Sequence, residues 1–229
     1  GASHSTGSYG ISMALDGAGN QHISYYNSSA SSLMYARFDG SSWHAEEVDN
    51  GGASGQYSSI AIDPSGNPHI SYVNSTPNPD AVMYAYHNGT AWTIEVIDAT
   101  PNSAYDTSID LDSSGSAHIT YQVYNNSCGS CYNLRYSYHN GSEWVYEDIK
   151  DYSSNWGYSN TGKNNQIKLN STDVPHVVFF DDYYDDVYIS IRINGSWSSS
   201  SVDDYGGWYT SAGERAISLA IDSTDALHV

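Results

Sequence analysis

Basic residues are scarce in this chain: 7 Lys and Arg stand against 26 Asp and Glu, giving a formal net charge of −19 over 229 residues. Neutralising a phosphate backbone needs a cationic face, so nucleic acid is not an expected partner, and an anionic membrane surface is excluded with it. Long hydrophobic runs are also missing. No stretch reaches the roughly 18 apolar residues of a spanning helix, so no membrane insertion is expected. Sustained apolar periodicity of 3.6 residues is absent, which predicts almost no helix. The only cysteines are Cys128 and Cys131, in "CGSC". Two thiolates alone cannot close a structural zinc site, which leaves a short disulfide or a tight redox loop. The chain opens on "GASHSTGSYG", with neither Met nor an apolar signal core, and so reads as a mature product or a piece of something longer.

What is present is Tyr, 22 of them, with 6 Trp and only 3 Phe. Tyr and Trp suit half-buried strands and wet interfaces. A turn motif also returns roughly every 50 residues, the period of a repeat architecture. It runs "DGAGNQH" (Asp16 to His22), "DPSGNPH" (Asp63 to His69), "DSSGSAH" (Asp112 to His118) and "DSTDALH" (Asp222 to His228), with a degenerate copy "NSTDVPH" from Asn170 to His176. An apolar anchor precedes each copy: Met13, Ile60, Ile109, Ile167 and Leu219. After each of the first four His come a β-rich run ("HISYY", "HISYV", "HITYQ", "HVVFF"), a looser loop and a second run ("LMYARF", "VMYAYH", "LRYSYH", "VYISIR"). A short turn, a Trp and a last strand close the unit. Asn-Gly between β-rich runs is a strong hairpin signal. Each unit therefore holds four short strands, a to d, in meander order.

Four antiparallel strands repeated in phase predict an all-β fold, a β-propeller of four-stranded blades. The blades fall at approximately 11–57, 58–106, 107–164 and 165–216, with a partial fifth at 217–229, in one domain spanning 1–229. A fifth start without its c and d strands makes the chain a segment of a larger ring, with an open edge to be covered by other copies of itself or by a surface protein. "ALDGAGNQHISYY", "AIDPSGNPHISYV" and the recurrent Asn-Gly-x-x-Trp resemble repeats of exported bacterial and archaeal propellers of the broad sialidase-like (BNR-like) group. That resemblance covers essentially the whole chain and implies fold more than function. The strict sialidase Asp-box, Ser-x-Asp-x-Gly-x-x-x-Trp, is missing, as is the Trp-Asp signature of WD40 blades.

A residue repeated in every blade at one turn is architecture before it is chemistry. Asp folds back on its own turn and Gly supplies positive φ, so Asp16, His22, Asp63, His69, Asp112, His118, His176, Asp222 and His228 are expected to be structural. Five equivalent bases do not make one active site. Arg37, Arg135 and Arg192 fall on c strands and Arg215 in a d–a loop; they do not recur as the convergent cluster a sialidase needs, so no catalytic residue is assigned.

The b–c and d–a loops are long and irregular and share one face of a blade, which is where a ligand site is expected. Trp156, Tyr158, Tyr183, Tyr184, Trp208 and Tyr209 are its candidate stacking faces for sugar. Asp181, Asp182, Asp185 and Asp186, in "DDYYDD", are candidate calcium ligands, because hard cations take carboxylate oxygen. Otherwise no cofactor is expected. Sequons at Asn27, Asn74, Asn88, Asn125, Asn140, Asn170 and Asn194 fall largely on equivalent loop or hairpin tips, where N-linked glycans meet no packing conflict. An extracellular or cell-surface location follows, and it suits a Cys128–Cys131 disulfide. The expected function is a non-enzymatic structural or adhesive surface module, with a lectin-like module as the alternative and a glycan-cleaving enzyme third.

Overall fold

A computed structural model of the chain describes residues 10–76, 80–101, 103–125, 131–150, 161–181, 186–202 and 217–229. Among them there is no helix, and therefore none long and apolar enough to cross a membrane. The first blade comprises β1 (Ile11–Leu15), β2 (Gln21–Asn27), β3 (Ser32–Phe38) and β4 (Trp43–Asp49). The second is β5 (Ser54–Ile62), β6 (Pro68–Asn74), β7 (Ala81–His87) and β8 (Trp92–Asp98). The third is β9 (Ala104–Leu111), β10 (Ala117–Asn125), β11 (Cys131–His139) and β12 (Trp144–Lys150). The fourth is β13 (Thr161–Leu169), β14 (Pro175–Asp181), β15 (Asp186–Ile193) and β16 (Ser196–Ser201). A two-stranded ribbon, β17 (Ala220–Ile221) with β18 (Leu227–His228), follows. Every four-stranded sheet is an antiparallel meander in chain order.

The a strands of successive blades lie side by side, and the same bond links each pair. The amide N–H of the apolar anchor donates to a polar side chain one blade back: Ile60 to Ser12 (3.2 Å), Ile109 to Ser59 (3.3 Å), Ile167 to Ser108 (3.1 Å) and Leu219 to Gln166 (2.8 Å). Hydroxyls on the b strands join in, Ser24 to Ser58 and Ser71 to Thr107. The anchors themselves are 6 %, 3 %, 1 % and 3 % exposed at Ile60, Ile109, Ile167 and Leu219. Met13, the anchor of the first blade, is 61 % exposed, with Ile11 and Leu15 bare beside it. Burial of the anchors is thus the work of the neighbouring blade, and the first blade's outer flank shows what a blade looks like uncovered.

The a strands of the second, third and fourth blades begin upstream of the apolar run and carry an irregular stretch against the b strand. Left-handed residues sit there: Tyr57, Asp106 and Asn164, with Gly55 and Gly162 nearby. A Cβ on Gly55 would lie 2.7 Å from the Leu33 Cα, and one on Gly162 2.9 Å from the Leu134 Cβ. Those glycines let the incoming strand rest on the preceding blade's c strand, where Leu33 and Leu134 are fully buried.

Candidate binding cleft between the first two blades

The recurrent histidines answer to architecture. In the first three blades the turn Asp accepts backbone N–H groups from its own turn: Asp16 from Ala18 and Asn20, Asp63 from Ser65 and Asn67, Asp112 from Ser114 and Ser116. Its other oxygen faces the His Nε2 at 3.5, 3.8 and 3.6 Å, and the His Nδ1 meets the buried c-strand Tyr hydroxyl: His22–Tyr35 2.6 Å, His69–Tyr84 2.5 Å, His118–Tyr136 2.6 Å. A carboxylate only accepts, so Nε2 carries the ring proton and Nδ1 accepts from the phenol. Burial holds Tyr35 up at about 12 and raises Tyr84 and Tyr136 as well, so all three phenols stay neutral donors. Burial also lowers His69 and His118, against the pull of Asp63 and Asp112. The fourth blade has Asn170 and Ile189 in place of the Asp and the Tyr, and there the His176 Nδ1 turns to the Val174 carbonyl at 2.9 Å.

The Tyr of one blade then receives the Trp of the next. Trp92 meets the Tyr35 ring edge-on at 5.3 Å and donates its indole N–H to Glu46 (3.0 Å). Trp144 does the same to Tyr84 and Glu95 (2.8 Å), and Trp197 to Tyr136 and Glu147 (2.7 Å). At the opposite end of the blades, Tyr72 donates to Asp49 and Tyr121 to Asp98, while Arg135 bridges Asp98 and Asp148. The recurrent His, Trp and Tyr are thereby accounted for between and within blades.

One row of side chains breaks the pattern. The b, c and d strands of each blade place three residues side by side on the face that looks toward the following blade. They are His69–Tyr86–Thr93 in the second and His118–Tyr138–Val145 in the third. There Tyr86 stacks on His69 and Tyr84, and Tyr138 on His118 and Tyr136. In the first blade the row is His22–Arg37–His44. With no tyrosine to fill the gap, a cleft of about 450 Å³ opens between the blades. Its walls are Tyr35, Arg37, His44 and Glu46 on one side and Asn67, His87 and Gly89 on the other. Asp39 fixes the His44 ring through Nε2 at 2.6 Å. His87 accepts the Gly89 N–H at its Nδ1, which leaves Nε2 as a donor. A second hollow, of about 480 Å³, lies where the a strands end; Asp16, Asp63 and Asp112 there are held by their own turns, and Lys168 by Asp110 at 3.4 Å.

Of the residues picked out in the sequence, Trp156, Tyr158, Tyr183, Tyr184, Trp208 and Tyr209 lie outside the described residues, as do Asp182, Asp185 and Cys128. Asp181 is buried against Lys150 at 3.3 Å and pairs with Asp186 across the strands. Among the described residues no three His, Cys, Asp or Glu gather into a metal-holding group. Cys131 is buried and disulfide-bonded. Asn88, Asn140 and Asn194 are exposed at c–d tips; the side-chain oxygens of Asn88 and Asn140 cap their turns. Asn27 caps its b–c loop, and Asn170 its a–b turn. The side-chain amides of Asn74 and Asn125 reach Gly51 and Asn133. The cleft was not among the sequence candidates. Its signal was nonetheless there: in four phased c strands, Arg37 stands where Tyr86, Tyr138 and Ile191 stand.

No protein-family model matches the chain, and no curated protein matches it. Solved structures do share its fold. An α-L-arabinanase from Penicillium chrysogenum, complexed with arabinobiose, matches at a TM-score of 0.63 and 12 % identity over 88 % of this chain and 68 % of its own. An α-L-arabinofuranosidase from Fusarium graminearum matches at 0.63 and 12 %, over 86 % and 67 %. A Hadza microbial sialidase matches at 0.55 and 12 %, over 83 % and 45 %, so the chain spans less than half of that protein. At such identities the likeness establishes the β-propeller architecture and nothing finer.

Proposed function

We propose that this chain is a non-catalytic, carbohydrate-binding part of an extracellular β-propeller protein, and that the cleft between its first two blades holds the saccharide. The observation behind the reading is the Arg37 row: it exchanges a stacked Tyr for a guanidinium, an imidazole and the Glu46 carboxylate around a cleft of about 450 Å³, a size suited to one or two sugar rings. Tyr35 supplies an aromatic face, while Arg37, His44, Glu46 and Asn67 offer donors and acceptors to hydroxyls. The propellers it resembles in fold include proteins named for arabinan and sialic acid chemistry, which is consistent with a glycan ligand.

Export fits the exposed sequon tips at Asn88, Asn140 and Asn194 and the disulfide at Cys131. A second reading, a structural or adhesive surface module, draws on the bare flank at Ile11, Met13 and Leu15, which a copy of the chain or another surface protein would cover. Glycan-array binding of the purified chain tests the first reading. Binding lost in Arg37→Tyr, with folding kept, is the expected result; a signal indifferent to that change, or silence across the array, overturns it. Intact mass before and after enzymatic deglycosylation tests the sequons, with added mass expected on protein from its native source.

A further inference from the structure

Cations are few here and the structure shows where they go. Arg135 is held by Asp98 and Asp148, Lys150 by Asp181, Lys168 by Asp110 and Arg192 by Glu147. Arg37 differs. Among the described residues no carboxylate lies within ion-pair reach of it, although the chain carries 26 acids. Its neighbours across the sheet are His22 and His44, and His87 stands on the opposite wall. On Arg37's own wall Glu46 lies one row further along, beside Tyr35 rather than Arg37, and its Oε1 takes the Trp92 indole N–H. The cleft thus has a cationic donor, Arg37, at one end and a carboxylate acceptor, Glu46, at the other.

We infer that the cleft takes an acidic saccharide, with an oxyanion of the sugar set against Arg37 and a neutral hydroxyl donated to the Glu46 Oε2. This deepens the glycan-binding reading and rests on it. A guanidinium offers a planar fork of N–H groups that matches a carboxylate or a sulfate ester in two parallel bonds. The long-range field of a −19 chain opposes such a ligand, but charges more than about 8 Å away are screened at physiological ionic strength. Within that range Arg37 is the one cation, and Asp16 and Asp39 are each engaged by an imidazole, His22 and His44, so the guanidinium sets the preference. The other junctions cannot do the same, because Tyr86 and Tyr138 occupy the position of the guanidinium.

Calorimetry on the full chain at pH 7 tests this with oligogalacturonide probes of one backbone, either free acid or fully methyl-esterified. A sulfated galactan and its desulfated form make the second pair. The free acid or the sulfated probe is expected to bind at least about tenfold tighter than its uncharged twin, the scale of one charge-assisted bond. Arg37→Gln should erase that difference, the charged probe falling to the affinity of its uncharged twin for the same variant. Which pair shows the preference identifies carboxylate or sulfate. Equal affinity within both pairs would sink the anion preference and leave the glycan reading standing. No binding of any saccharide, here or on the array, would remove both.

Discussion

The first and second blades meet through the same parts as the second and third, yet one junction is open and the other closed. Both have the Asp–His–Tyr line, the edge-on Trp and the Glu that takes its indole proton. Around the cleft they differ at one row, Arg37 and His44 against Tyr86 and Thr93. The repeat therefore separates two tasks. Parts that recur hold blades together, and the part that fails to recur is free to face a ligand. Sites in repeat proteins are found where the period is broken, provided the break opens space instead of merely losing a contact. The fourth blade shows the other kind of break: Asn170 and Ile189 replace Asp and Tyr together, and His176 simply finds a backbone carbonyl.

The sharpest test of the shared parts compares a Trp inside a junction with one outside it. Trp144 packs on Tyr84 and His139 and bonds Glu95; Trp43 is 52 % exposed on the uncovered flank, touching Phe38 of its own blade. Trp144→Ala is expected to cost about 3 kcal/mol in urea denaturation, and Trp43→Ala less than about 1 kcal/mol. Equal losses would mean that the indoles stabilise their own hairpins and do not bind blade to blade.

Exchanging the row that differs comes next. Tyr86→Arg should open the second junction and lose the stacks on His69 and Tyr84, at a cost of about 1–2 kcal/mol. Arg37→Tyr should close the first junction, with stability unchanged or raised by up to about 1 kcal/mol, and abolish saccharide binding. If Arg37→Tyr destabilises as much as Tyr86→Arg, the first junction was shaped for packing after all.

The fold was legible in the sequence because its signals are local and repeated. Asp turns, Asn-Gly tips and alternating apolar residues each act within one hairpin, and their phase alone separates a propeller from a sandwich. The turns that carry the histidines were legible for the same reason. The irregular starts of β5, β9 and β13 were not: they depend on Gly55 and Gly162 approaching a strand of another blade, a contact with no sequence period. Arg37 was visible only as one of several scattered arginines, because its meaning lies in the Tyr it replaces and in the blade opposite. Long-loop residues such as Trp156 and Trp208 drew attention by composition alone.

Acid should weaken the closed junctions in a defined order. Burial lowers His69 and His118 in the folded state, so the unfolded chain takes up protons first. Their contribution is complete above the unfolded value of about 6.5 and is lost progressively as pH falls from there toward the lowered folded values. The turn carboxylates act in a lower window. Burial pushes Asp63 and Asp112 up, but their side-chain and backbone bonds outweigh it and leave both lowered; Asn20 leads in holding Asp16 at about 2. Their support is present above the unfolded value and disappears as pH drops through the folded one. Tm is thus expected to fall between pH 7 and 5, and the His69→Gln/His118→Gln double variant should flatten that step. An unaltered step in the double variant would assign it elsewhere.

The smallest effect expected is also a comparison of blades. The turn position held by Gly66 and Gly115 at positive φ is Asp173 in the fourth blade and Asp225 in the ribbon, at φ of 61° and 62°. An L-residue there is strained where Gly is not. Asp173 offsets that strain by gripping the preceding turn, taking the Ser113 N–H at 2.7 Å and its hydroxyl at 2.6 Å; Asp225 does likewise with Ser171. Asp173→Gly relieves the backbone and releases Ser113, so the two changes oppose and the net effect should stay within about 0.5 kcal/mol. Asp173→Ala keeps the strain and loses the grip, and should be the less stable of the two by about 1 kcal/mol. If Ala and Gly prove equal in denaturant melts, the turn there is slack, and the contact between those two blades rests on the a strands, Trp197 and the Lys150–Asp181 and Arg192–Glu147 pairs.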